Sequence, residues 1–253
     1  MRIVALALTL SVFLPVAARA DDPPPPPPAR KVLFIGNSYT EATRSALEGM
    51  YKAAGYDPST MLEFATKDGY TLAKHAADEA LATRITEGGW THVVLQEQSQ
   101  MPAYPQLRQQ YLDAVGKLEA RIRPVRAVTV LFATWGRRDG DLENKHTAPD
   151  YETMQELLSA GFAEATVRFG ARVTVAPVDK AWATVRRRAP DLGRRLYLQD
   201  GGHPSAHGAT LAATVLFRAI NGTMPPAMRA VTMTDADAKL LLEISATACE
   251  GLR

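Results

Sequence analysis

The chain of 253 residues predicts an α/β fold built on a parallel sheet. Three observations carry that prediction. From Lys31 onward, short apolar runs alternate with longer amphipathic stretches. The apolar runs lack strict in-and-out alternation, and polar or glycine-rich residues follow them. Strand-like runs that alternate with helix-like stretches imply parallel strands joined by crossover helices. Strands covered on both faces read as near-continuous apolar runs, as Val93-Val94-Leu95 and Val128-Thr-Val-Leu-Phe132 do.

Strands are expected at Val32–Ile35, Met61–Ala65, His92–Gln96, Ala127–Phe132 and Arg172–Ala176. Between them the pattern predicts helices over Tyr39–Ala54, Leu72–Thr86, Pro105–Arg121, Tyr151–Phe169 and Ser205–Ile220. In the first helix Ala42, Ala46, Met50 and Ala53 recur at helical spacing, and Gly55 follows as a stop. The helix over 205–220 turns Leu211, Val215 and Leu216 inward and ends at Asn221-Gly222. Thr234–Ala246 closes the chain as a helix with Thr234 as its N-cap.

The segment before the first strand reads as an export signal. Arg2 precedes an apolar stretch from Ile3 to Val16, and Ala18-Arg19-Ala20 supplies a small-x-small cleavage site. The stretch is too short to span a bilayer comfortably, and no second candidate follows. The expected organisation is a signal peptide over 1–20, a proline-rich linker over 21–30 and one α/β domain over 31–253, in a periplasmic or secreted protein. Pro23 to Pro28 are expected to form a stiff polyproline spacer of roughly 19 Å, the alternative being a proline-recognition ligand. Losing residues 1 to 20 removes Arg2 and Arg19 and no acid, so 29 basic residues become 27, equal to the 27 acidic ones. That balance argues against nucleic acid as a partner. Cys249 is the sole cysteine, which leaves no intramolecular disulfide.

In a parallel sheet, the loops leaving the carboxyl ends of the strands gather on one edge. That edge should hold Asn37-Ser38, residues 66–71, Glu97–Gln100, Thr134–Asp141 and the segment around Asp200. Taken singly, these residues have bland readings. Ser38-x-x-Glu41 has the form of a capping box, and Asp200 and His203 fit an ordinary turn beside Gly201, Gly202 and Pro204. Taken together they supply a nucleophile, a base and a carboxylate to orient the base. A serine at a helix start also has backbone N–H groups aimed at a developing anion. His203 and His207 stand four apart, but Pro204 breaks the His-Glu-x-x-His pattern and no further ligand clusters there. No metal or organic cofactor is expected.

Gly36-Asn37-Ser38 resembles the first block of the SGNH (GDSL-like) hydrolases, with Asn37 where many members carry aspartate. Asp200-x-x-His203 resembles their last block, extended by Pro204, Ser205 and Gly208. The likeness runs from Ser38 to Gly208, with its sharp motifs at the two ends. It implies a three-layer α/β/α, flavodoxin-like fold with about five parallel strands and a Ser38–His203–Asp200 hydrolytic site. It also implies oxyanion donors from the serine amide, a glycine amide and an asparagine side chain. Gly69 takes the glycine position. Where the third block should read Gly-x-Asn-Asp, Val94-Leu-Gln-Glu-Gln-Ser99 stands instead, with Gln98 at the asparagine position and Gln96 as its rival. A Gly-x-Ser-x-Gly nucleophile elbow fails at Thr40.

Other residues keep two readings or a modest one. Trp135 is either core beneath its loop or an aromatic wall for the substrate, with Arg137 reaching that substrate. His75 is expected to be structural. Arg186-Arg-Arg188 with Arg194-Arg195 reads as solvated surface, the alternative being contact with an anionic polysaccharide or lipid head group. The expectation is an exported serine esterase acting on a small acyl ester, with export and family habit suggesting acetyl groups on a carbohydrate. The alternatives are a non-catalytic carbohydrate-binding protein on the same fold, a thioesterase or a lysophospholipase.

Overall fold

In the computed structural model, residues 30–226 and 233–252 are described. The expected signal peptide and all but the last residue of the proline-rich linker lie outside them. Five strands, β1 (Val32–Gly36), β2 (Leu62–Thr66), β3 (His92–Leu95), β4 (Val128–Phe132) and β5 (Val173–Ala176), pair in parallel in the order β2-β1-β3-β4-β5. Each lies within a residue of its expected limits.

Alternate residues of each strand serve opposite faces of the sheet. Val32 and Phe34 of β1, with Val94, Val130 and Phe132, enter a core shared with α1 (Ser38–Ala53), α7 (Val178–Arg188), α9 (Ala206–Asn221) and α10 (Asp235–Ala248). Leu33 and Ile35, with Val93, Leu95 and Leu131, enter a second core with α3 (Leu72–Ala76), α4 (Glu79–Glu87), α5 (Pro105–Ile122) and α6 (Tyr151–Phe169). The result is a three-layer α/β/α arrangement. Val32 to Ile35 are wholly buried, which stabilises the fold by about 1.5–3 kcal/mol for each such side chain.

Two short helices, α2 (Pro58–Met61) and α8 (Pro190–Arg195), complete the set among the described residues. The helix expected over Leu72–Thr86 is divided. Ala77 ends α3, and the Asp78 carboxylate accepts from the N–H groups of Ala80 (2.9 Å) and Leu81 (3.1 Å) to start α4. The arginine-rich segment lies on α7 and α8, with Arg187, Arg188, Arg194 and Arg195 exposed. Val178, Ala181, Trp182 and Val185 bury one face of α7, while Arg188 and Arg195 pair with Glu243 (2.8 Å) and Asp237 (3.0 Å), acids at α10.

The chain leaves β1 toward β2 on one side, while β3 flanks β1 on the other. The carboxyl ends of β1 and β3 thus form the topological switch point, where open α/β sheets leave a crevice. Gly36 ends β1 there because a Cβ would lie 2.6 Å from Gln96 Oε1 and press on the Thr40 hydroxyl.

Candidate active site

Ser38 is the first residue of α1, and Asn37 rather than Ser38 caps it: Asn37 Oδ1 accepts from the Tyr39 N–H at 3.2 Å. Glu41 does not close a capping box. Its carboxylate takes Arg44 at 2.7 Å and the Thr66 hydroxyl. With capping done by its neighbour, the Ser38 hydroxyl turns outward, and Oγ lies 2.8 Å from His203 Nε2.

On the far side of the imidazole, Nδ1 stands 2.6 Å from Asp200 Oδ2. The tautomer these partners favour has Nδ1–H donating to the carboxylate and Nε2 accepting from the serine hydroxyl. Asp200 Oδ1 accepts from the N–H groups of Gly202 (2.9 Å) and His203 (3.0 Å), so the acid clamps the turn that carries the base. Partial burial pushes the Asp200 carboxyl up, but these amides and the imidazole outweigh it and hold it below the usual carboxylate range.

The turn is fixed from below. The Arg138 N–H donates to Gly201 O at 2.7 Å, and Trp135 Nε1–H donates to Gly202 O at 3.1 Å. Tyr197 pairs with Pro204 across the turn's mouth, and the Leu198 N–H donates to His203 O at 2.8 Å. Of its two readings, Trp135 takes the core one and is no wall for the substrate. It has no exposed surface, because its indole is stacked between Trp182 (centroids 3.8 Å apart) and Tyr39 (5.1 Å).

Ser38, Gly69, Gln98, Arg137, Asp200 and His203 line one cavity of about 480 Å³. As the first helical residue, Ser38 has no intrahelical partner for its N–H. Gly69 is left-handed (φ +64°), and its loop is tied to β1 by the Lys67 N–H on Gly36 O (3.2 Å) and Asn37 Nδ2 on Tyr70 O (3.1 Å). The Gln98 amide is steadied reciprocally by Gln100: Gln98 Nε2 donates to Gln100 Oε1 at 3.1 Å, and the Gln100 N–H donates to Gln98 Oε1 at 2.8 Å. A primary amide carries two donors, so this bond occupies only one of them.

Gln96 is not brought to the cavity. Its side chain is fully buried, and Oε1 accepts from the Asn37 N–H (2.9 Å), the Thr40 N–H (3.3 Å) and the Thr40 hydroxyl (2.8 Å). Its amide nitrogen donates to Glu97 O. Gln96 therefore braces the start of α1, which corrects its place as rival to Gln98. His75 likewise holds the end of β1, with Nε2 2.8 Å from Gly36 O.

Arg137 reaches the cavity from a buried hub. Asp141, with no exposed surface, receives Arg137 Nη1 (2.9 Å), Gln100 Nε2 (2.8 Å), the Tyr104 hydroxyl (2.6 Å) and Asn144 Nδ2 (2.9 Å). Burial pushes the Asp141 carboxyl up, yet these donors bring it below its ordinary value. Tyr39, Asp68 and Ser99 also line the cavity and were not singled out by sequence. Their adjacency to Ser38, Gly69 and Gln98 was the available signal. Among the described residues, no group of three or more His, Cys, Asp or Glu side chains could hold a metal ion. No helix among them is long and apolar enough to cross a membrane. A hydroxyl, an imidazole and a carboxylate in sequence can deprotonate a nucleophile as it attacks a carbonyl.

No protein-family model matches the chain, and no curated protein does. Solved structures do match. A candidate SGNH hydrolase from Slackia heliotrinireducens is 26% identical over 74% of this chain and 97% of its own, with a TM-score of 0.61. A DUF4886 family protein from Bacteroides uniformis is 16% identical over 87% and 94%, with a TM-score of 0.68. The psychrotrophic esterase EstA from a Pseudoalteromonas species is 14% identical over 74% and 94%, with a TM-score of 0.52. The chain has the three-layer SGNH hydrolase fold, and the likeness to the Slackia protein supports a hydrolase.

Proposed function

We propose, from the SGNH hydrolase fold, that this chain is a serine esterase acting on a short acyl ester. The unbroken chain from Ser38 Oγ through His203 to Asp200 carries the reading. His203 Nε2 takes the Ser38 proton as the oxygen attacks the ester carbonyl, and Asp200 stabilises the imidazolium. The tetrahedral oxyanion is held by the N–H groups of Ser38 and Gly69 and by the Gln98 amide. His203 then protonates the leaving alcohol, and water repeats the steps on the acyl-enzyme.

The cavity lining favours a small acyl group over a long chain. A fatty acyl tail would need a long apolar groove, whereas the residues around Ser38 include Asn37, Asp68, Gln98, Ser99 and Arg137, whose polar groups meet a tail at several points. The same lining suits a hydroxyl-rich alcohol portion, so an acetylated carbohydrate is the substrate class we favour. Export is part of the proposal: the secreted chain should begin at Asp21, and a full-length chain starting at Met1 and retained in the cytoplasm would reject it.

A fluorophosphonate probe tests the mechanism. The parent should be labelled, and Ser38→Ala and His203→Ala should lose labelling and turnover while keeping their thermal midpoints. A folded parent that takes no label would favour the carbohydrate-binding alternative. Faster turnover of p-nitrophenyl dodecanoate than of the acetate would favour a lysophospholipase.

A further inference from the structure

Glu97 sits on the same edge, and the hydrolytic scheme does not use it. It lies two residues beyond the end of β3 and is only 3% exposed. Its Oε1 accepts two backbone N–H groups, that of Leu72 at 3.0 Å and that of Gln98 at 2.7 Å. Leu72 opens α3 and closes the loop that carries Gly69. Gln98 belongs to the loop after β3. One oxygen atom therefore joins the two segments that present the glycine amide and the side-chain amide to the cavity.

The other oxygen shows that this arrangement has a cost. Oε2 is sealed from solvent with no hydrogen-bond partner, as is the Tyr111 hydroxyl, whose proton is retained first by burial and then by the Glu97 charge. A buried acid left half-satisfied is unfavourable, and an apolar side chain of similar volume would fill the space at less cost. Burial pushes the Glu97 carboxyl up to about 7, against the pull of the two amides. The carboxylate and the neutral acid both offer an acceptor oxygen at the same place, so titration does not release the two segments.

We infer that Glu97 is a positioning residue that fixes the spacing of the oxyanion donors, holding the Gly69 loop and Gln98 in register around the substrate oxygen. This inference rests on the esterase reading. It requires an acceptor at the Oε1 position and does not require a negative charge. That requirement separates it from simple core filling.

The test compares Glu97→Met, which keeps the volume and removes the acceptor, with Glu97→Gln, which keeps a carbonyl oxygen. Thermal midpoints, kcat and KM on p-nitrophenyl acetate are read beside the parent. For Glu97→Met we expect kcat to fall about 10²-fold, the scale of one displaced oxyanion donor, with KM within about threefold of the parent. Glu97→Gln should recover most of that loss. Unchanged kcat in Glu97→Met, a loss confined to KM, or a glutamine variant as slow as the methionine one would each overturn the inference. Should Glu97→Met not fold, Glu97→Asp, whose shorter arm cannot reach both amides, takes its place under the same criteria. A folded parent inert toward every ester and unlabelled by the probe overturns the esterase reading and this inference together. An active parent with unaffected Glu97 variants overturns this inference alone.

Discussion

Trp135→Phe tests the support beneath the base. The variant keeps an aromatic ring between Tyr39 and Trp182 but deletes the Nε1–H that donates to Gly202 O at 3.1 Å. Gly202 is buried, so its carbonyl would be left unsatisfied at a cost of about 1–3 kcal/mol. The atoms removed from a packed stack add roughly 1 kcal/mol more. For a domain of this size each kcal/mol moves the thermal midpoint by about 2–4 °C, so a fall of roughly 4–16 °C is expected. Gly202 directly precedes His203, whose Nε2 must stay near 2.8 Å from Ser38 Oγ. A misplacement of about 1 Å can cost on the order of 10²-fold in rate, and kcat should fall well beyond tenfold with KM little changed. Differential scanning calorimetry and p-nitrophenyl acetate kinetics read both effects. A variant with the parent's midpoint and kcat would refute the reasoning. A lower midpoint with normal kcat would reduce Trp135 to core filling.

Gln96→Ala should destabilise by several kcal/mol, because it orphans the Asn37 and Thr40 N–H groups at about 1–3 kcal/mol each; a midpoint equal to the parent's would reject its bracing role. Gln98→Ala should keep its midpoint and lose about 10²–10³ in kcat, and the reverse pattern would move the oxyanion role elsewhere. Asp141→Ala strips the buried partner from Arg137 and should cost about 3–5 kcal/mol in urea unfolding; a loss below 1 kcal/mol would show that the hub holds nothing together. His92 is pushed down to about 4, first by burial and then by the Arg30 charge. Because its folded value lies below its ordinary one, its contribution is present above pH 6.5 and is lost as pH falls through 4. That loss is on the order of 3 kcal/mol, so His92→Gln should flatten the acid limb of a urea-midpoint profile; an unchanged limb would contradict this.

The strands were legible because burial on both faces leaves unbroken apolar runs, and Val32–Ile35 and Val93–Leu95 are such runs. The break at Ala77-Asp78 was missed although an aspartate before a helix is a start signal, because apolar spacing continues across it. Helices α7 and α8 were hidden by composition: five arginines from Arg186 to Arg195 read as surface and masked the stripe of Val178, Ala181, Trp182 and Val185. Residue types and order were enough to nominate Ser38, Asp200 and His203 as a set. Which glutamine faces the cavity was not legible, since Gln96 and Gln98 lie on the same side of an extended chain and only the presence of Thr40 and Asn37 beneath one of them separates the two. Glu97 escaped notice because its partners are backbone amides, which no side-chain pattern reveals.

Ser38 and His203 are 165 positions apart, and the last strand of the sheet is already complete at Ala176. A growing or clipped chain that ends between residues 177 and 202 contains the sequence of every strand and still carries only an ordinary alcohol. Reactivity is thus withheld from unfinished copies until the final turn docks against the Trp135 ring system. In refolding, turnover should return after the far-ultraviolet signal rather than with it.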